Sequence, residues 1–223
     1  MSTIAGYTIA RVAEIPWEER KNVDGWPSRA GMYYYDDRGN NLCMRQIHYP
    51  EGRTEPRHVH AGSHAAVLLE GEAHIDGKVL GPLDVVLGPS NEPHGPLHYP
   101  KGAKIFSAFQ GSYFHNEVQQ LGAERHYRLI QSGEIPWVPR GAGVEVKTLI
   151  DHGLGRLLLE VVRYAPGAKL ARPEFTAALV VVGSAAVAGE KLGAWDFLYV
   201  NRDEEHGAIG FPEGATLLCV TMR

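Results

Sequence analysis

Residues 52–71 read GRTEPRHVHAGSHAAVLLEG. Three histidines fall within them, His58, His60 and His64, and a fourth, His94, follows in a proline-rich turn. His58 and His60 are two residues apart, so on a β-strand both side chains leave the same face. His64 lies four residues on, across Gly62-Ser63, at the return of that strand or the start of the next. Imidazole binds borderline divalent metals, and three or four converging imidazoles make a metal site. The stretch predicts a metal-binding β-barrel.

Outward from it, short apolar runs alternate with Gly, Pro, Asn and Asp clusters. Met32–Tyr35, Leu42–Tyr49, Ala65–Leu69, Asp84–Leu87 and Lys104–Phe109 are such runs. Asp36–Asn40, Asp76-Gly77, Gly88-Pro89 and Pro100–Gly102 separate them, the spacing of an all-β sandwich or barrel. The best helical candidate is the single stretch Asn116–Arg125.

The chain repeats itself. Glu14-Ile15-Pro16-Trp17 recurs as Glu134-Ile135-Pro136-Trp137, and Leu80–Gly111 aligns without a gap against Leu192–Arg223. Matches in the latter pair include Asp84/Asp196, His94/His206, Gly95/Gly207 and Gly102/Gly214. The repeat predicts an N-terminal barrel over 1–113, a linker over 114–126 and a C-terminal barrel over 127–223. Gly52 corresponds to Gly167 and Gly71 to Gly183, so the second copy is three residues shorter across the histidine stretch. It reads LARPEFT there and, of the counterparts of the four histidines, keeps only His206, and a lone imidazole is no metal site. Copy one is expected to work and copy two to be structural.

At 223 residues, 44% hydrophobic and 22% charged, the composition is that of an ordinary globular protein. A net charge of −4 and a pI near 6.3 give no basic footprint for nucleic acid or an anionic membrane. Cys43 and Cys219 lack ligand spacing and read as buried thiols, against a secreted disulfide framework. The N-terminus has no basic region followed by an apolar one, so a cytoplasmic location is the expectation.

Gly52, five residues, His58-Val59-His60, three residues, His64, six residues and Gly71 resemble the first cupin motif, with His64 where the family carries glutamate. Asp84, Pro89 and His94 match the second motif, while Leu83, Asn91 and His98 replace its Gly, Gly and Asn. Through the duplication the resemblance covers nearly the whole chain and implies a bicupin: all-β, two tandem RmlC-like jelly-roll barrels. It implies His58, His60 and His94 as metal ligands, with His64 in the glutamate's place. One divalent metal in the N-terminal barrel follows, iron or zinc, with nickel or manganese as alternatives. Glu55, Asn91 and His98 are candidate partners for the ligand rings, and Val67, Leu69 and Val86 are expected to wall the pocket.

An all-histidine site leaves the metal's charge uncompensated and suits anionic, oxygen-bidentate ligands. Among cupins it is similar to that of dioxygenases cleaving diketones or hydroxyketones, the leading expectation. The alternative resemblance is to the cupin-like domain of ChrR-type anti-sigma factors, a zinc-binding regulatory module with a protein partner. A cupin isomerase or simple binder is a third reading. His48, His74, His98 and His115 read first as satisfied residues, on the surface or supporting the ligand rings, Tyr33–Tyr35 as a half-buried strand, and Trp17 and Trp137 as packing anchors. Exposed sheet edges point to a homodimer.

Overall fold

Runs rich in β-branched and aromatic residues, cut by turn formers, fold as antiparallel strands. The computed structural model describes residues 1–21, 27–36, 42–110, 115–117, 127–151 and 157–222. The chain divides into two compact units, Pro16–Glu134 and Met1–Ile15 together with Ile135–Arg223.

In the Pro16–Glu134 unit a seven-stranded sheet runs in the order Arg128–Ile130, Val85–Gly88, Ser63–Gly71, Ala103–Gln110, Leu42–Tyr49, Pro27–Asp36 and Trp17–Lys21. A four-stranded sheet runs Lys78–Leu80, Ala73–Ile75, Leu97–Tyr99 and Arg53–Glu55. Leu68, Val86 and Ile105 of the larger sheet pack with Ala73, Ile75, Leu97 and Tyr99 of the smaller, so the core fills the space between them. Two facing antiparallel sheets of this kind make a jelly roll.

The second unit repeats the plan. Ser2–Ile4, Tyr7–Ala10, Phe197–Val200, Ala177–Gly183, Ala215–Met222, Leu157–Tyr164, Val144–Asp151 and Val138–Pro139 form its larger sheet. Ala168–Leu170, Ile209–Phe211, Ala185–Val187 and Glu190–Leu192 form the smaller. Among the described residues no strand there corresponds to His58–His60, which is where the second copy is shorter.

Each copy gives its first strand to the other unit's sheet. Tyr7–Ala10 pairs with Phe197–Val200, and its repeat mate Arg128–Ile130 pairs with Val85–Leu87. The residues just after these strands are held alike. Val12 N–H donates to Asp196 Oδ1 (2.9 Å) and Ser132 N–H to Asp84 Oδ1 (2.7 Å). The other carboxylate oxygen of each aspartate takes the Gly193 or Gly81 N–H at 2.9 Å. The boundaries expected at 113 and 127 therefore move. Residues 1–15 leave the first barrel and 127–134 join it, because a repeat shows which residues correspond and not which partner they pair with.

Of the expected helix Asn116–Arg125, residues 118–125 lie outside the described residues. Asn116 and Glu117 belong to a strand, His115–Glu117, that pairs with His58–His60. Backbone pairing to the histidine strand overrides the weak helical period. Trp17 and Trp137 occupy matching places. Trp17 packs on His48 (4.5 Å) beneath Arg29, and Trp137 lies under Arg163 (4.0 Å) and Lys147. Tyr33 is buried with its hydroxyl on Gln46 Oε1, while Tyr35 is exposed, and Cys43 and Cys219 are buried free thiols.

Candidate metal centre

His58 and His60 stand on the short strand between Glu55 and Ser63, and both side chains are buried. His94 is brought to them by a reciprocal backbone bridge. His58 N–H donates to His94 O and His94 N–H to His58 O, each at 3.0 Å. The turn before His94 is clamped on the same strand and on the bend that follows it. Asn91 N–H donates to His60 O (2.7 Å), Ser90 N–H to Ser63 Oγ (3.2 Å), and the Ser90 hydroxyl to Ala61 O.

The donor nitrogens of His58, His60 and His94 all lie within 4.8 Å of one another. His58 Nδ1 donates to Pro56 O (2.8 Å) and His94 Nδ1 to Glu92 O (3.2 Å), each to a carbonyl two residues upstream. A proton fixed on Nδ1 leaves the Nε2 lone pair for a metal, and such outer contacts set tautomer and ring orientation. His58 Nε2 and His60 Nε2 are 3.1 Å apart. Two nitrogens at about 2.1 Å from one metal, subtending about 90°, would stand about 3.0 Å apart. The residues fit a divalent metal.

His64 enters from the strand Ser63–Gly71, its ring centroid 4.5 Å from that of His60 and 4.8 Å from that of His94. It stacks on Phe109 at 5.0 Å, and Phe109 also meets His60 edge-on. Burial first, then the electrostatic influence of the neighbouring His94, His58 and Arg45, holds the His64 pKa well below the ordinary value, so the ring stays neutral. Gly88, paired opposite His64, leaves the space the ring fills. Arg45, also buried, lies over Phe109 at 5.1 Å. Phe109, Gly88 and Arg45 have no motif of their own, but Gly88 aligned with Val200 in the repeat is a usable sign.

The expected ring partners lie elsewhere. Glu55 is buried, and its carboxylate accepts the Tyr49 hydroxyl (2.8 Å) and the Tyr99 hydroxyl (3.1 Å). Burial and the Glu55 charge raise both phenol pKa values well above the ordinary, with Arg53 opposing. Asn91 points its exposed side chain at Ser90 and serves the site only through its N–H. His98 contacts Thr54 (2.9 Å) on the face opposite Leu97 and Tyr99. Backbone carbonyls take the role expected of side chains.

Of the expected pocket wall, Val86 packs in the core between the sheets, but Val67 and Leu69 are not part of that cluster. Alternation explains this: with His64 turned inward, Ala66 and Leu68 share its face and Val67 turns away.

Copy two is filled where copy one is polar. Thr176 replaces His64 and Val200 replaces Gly88, while Ala168 and Leu170 replace Arg53 and Glu55. Its apolar core includes Tyr7, Phe175, Val200 and Cys219. His206 Nε2 bonds Asn201 O at 2.9 Å.

No family model matches the chain, and no curated protein matches it. Solved structures do. A provisionally assigned dioxygenase from Nostoc punctiforme superposes with a TM-score of 0.79 at 12% identity, over 98% of this chain and 83% of that one. A single-residue mutant of oxalate decarboxylase from Bacillus subtilis gives 0.69 at 15%, over 99% and 78%. The Lactobacillus farciminis oxalate decarboxylase formate complex gives 0.69 at 11%, over 99% and 87%. No helix among the described residues is long and apolar enough to cross a membrane. The chain folds as two tandem jelly-roll barrels of the cupin type, with a buried histidine cluster suited to a metal in the first.

Proposed function

We propose that the protein is a mononuclear metal enzyme of the dioxygenase-like cupin kind, acting on a small oxygen-chelating diketone or hydroxyketone. The observation carrying this reading is the convergence of His58, His60 and His94, two of them with Nδ1 committed to a carbonyl. His64 is the proposed fourth donor. A divalent metal there would supply Lewis acidity and open coordination positions.

The chain's own part is to orient and to exclude water. The Pro56 and Glu92 carbonyls hold two rings in the binding tautomer, and Phe109 fixes His60 and His64. Burial keeps His64 neutral, able to ligate and not to repel a cation. Neutral imidazoles carry no negative charge, so the histidine cluster itself does not compensate a divalent cation, and the Glu55 carboxylate is engaged by two tyrosine hydroxyls. A site of this charge favours a substrate that arrives as an enolate. Iron fits the chemistry proposed, and manganese(II) centres are described for one of the similar structures, the Bacillus subtilis oxalate decarboxylase.

Metal analysis of protein purified with and without air, with O2 uptake measured on a 1,3-diketone, tests the reading. Iron and diketone-dependent O2 uptake are expected. Tightly held zinc, no O2 consumption and a specific protein partner would overturn it in favour of a regulatory module.

A further inference from the structure

We propose that the Tyr127 hydroxyl donates a hydrogen bond to an oxygen of the ligand held at the histidine cluster, selecting anionic oxygen chelators such as enolates. The inference rests on the cluster being a metal centre.

Tyr127 precedes the exchanged strand Arg128–Ile130 and packs inside the first barrel with Leu68, Val86 and Ile105. Its ring stands 6.3 Å from that of His94. The residue is 8% exposed, and its hydroxyl is buried with no hydrogen-bond partner among the described residues. A buried hydroxyl without a partner is costly, and phenylalanine would fill the same space without that cost.

The second barrel supplies an internal control. Tyr7 stands at the same place in the repeat, at the start of the strand that pairs with Phe197–Val200, with its ring 5.3 Å from that of His206. There the hydroxyl is closed on the backbone, donating to Gly207 O at 2.7 Å. Gly95 is the counterpart of Gly207 in the first barrel, and Tyr127 makes no such bond. The tyrosine is satisfied beside His206 and, among the described residues, unpartnered beside the cluster. A phenol O–H is a donor matched to an anionic oxygen, and hydrogen bonds to charged partners are the stronger kind.

The test uses the full chain loaded with cobalt(II), with pentane-2,4-dione as probe, comparing wild type, Tyr127→Phe and Tyr7→Phe. Cobalt content, dione affinity from the visible band, and Tm are measured. Tyr127→Phe is expected to keep its cobalt, bind the dione about 10- to 100-fold more weakly, and melt no lower than wild type. Tyr7→Phe is expected to keep both metal and dione affinity and to melt a few degrees lower. Equal dione affinity in Tyr127→Phe with cobalt retained would overturn the role of Tyr127 and leave the metal centre standing. Loss of cobalt from Tyr127→Phe would make the residue structural and also overturn it. Failure of wild type to bind cobalt would overturn the metal centre itself. Cobalt bound without dione would overturn the chelating ligand class and the role of Tyr127 with it.

Discussion

Gly88 lies against the edge of the His64 imidazole: a Cβ added there would collide with Cε1 and stand 2.9 Å from both ring nitrogens. His64 cannot retreat freely, because its other side stacks on Phe109. In the second copy the same pair is Val200 and Thr176, a larger residue facing a smaller one. The glycine is therefore matched to the imidazole and not to the strand.

Gly88→Ala is expected to weaken metal binding at least tenfold, with a stability loss of about 1–3 kcal/mol from overpacking. Gly81→Ala, where the added carbon meets nothing within 4 Å, is the control and leaves both unchanged. Metal titration and urea denaturation of the two variants check this. Unaltered metal affinity in Gly88→Ala would show that His64 is not held where the site needs it.

The paired aspartates predict a reciprocal effect. Asp84 joins Gly81 and Ser132, as Asp196 joins Gly193 and Val12. Asp84→Ala and Asp196→Ala each leave a backbone donor of an exchanged segment unpaired, at about 1–3 kcal/mol. The two sites share no partner, so the double variant is expected to lose the sum. Denaturant midpoints measure it, and a double variant no less stable than either single one would contradict independent clasps.

His48 predicts a pH dependence. Burial, then Lys104 and Arg29, lower its pKa from 6.5 to about 4, with Glu70 opposing. The unfolded chain takes up the proton first, so this residue costs no stability above pH 6.5 and increasingly more as pH falls to about 4. His48→Gln is expected to narrow the difference in urea midpoint between pH 7 and pH 4.5. An unchanged difference would remove His48 as a source of acid sensitivity.

The histidines are legible in the sequence because alternation on a strand is local: His58 and His60 have to share a face, and the duplication supplies a copy without them. The same alternation, counted from His64, places Ala66 and Leu68 inward and turns Val67 away. Leu83, standing where the cupin pattern has glycine, adopts a φ of +70°, as does its mate Trp195 at +68°. The backbone keeps the turn that glycine would ease, and the residue types alone give no sign of that strain. Strand exchange is hidden for a different reason. Tyr7–Ala10 and Arg128–Ile130 look alike, and nothing in either segment says which sheet accepts it. Ring partners supplied by the Pro56 and Glu92 carbonyls carry no side-chain signature at all.

The contrast between the two barrels predicts one metal centre, in the first copy alone. Metal content per chain, measured on wild type, His60→Ala and His206→Ala, tests it most directly. One equivalent of divalent metal is expected in wild type, none in His60→Ala, and one in His206→Ala. Metal retained by His60→Ala, or lost from His206→Ala, would contradict it.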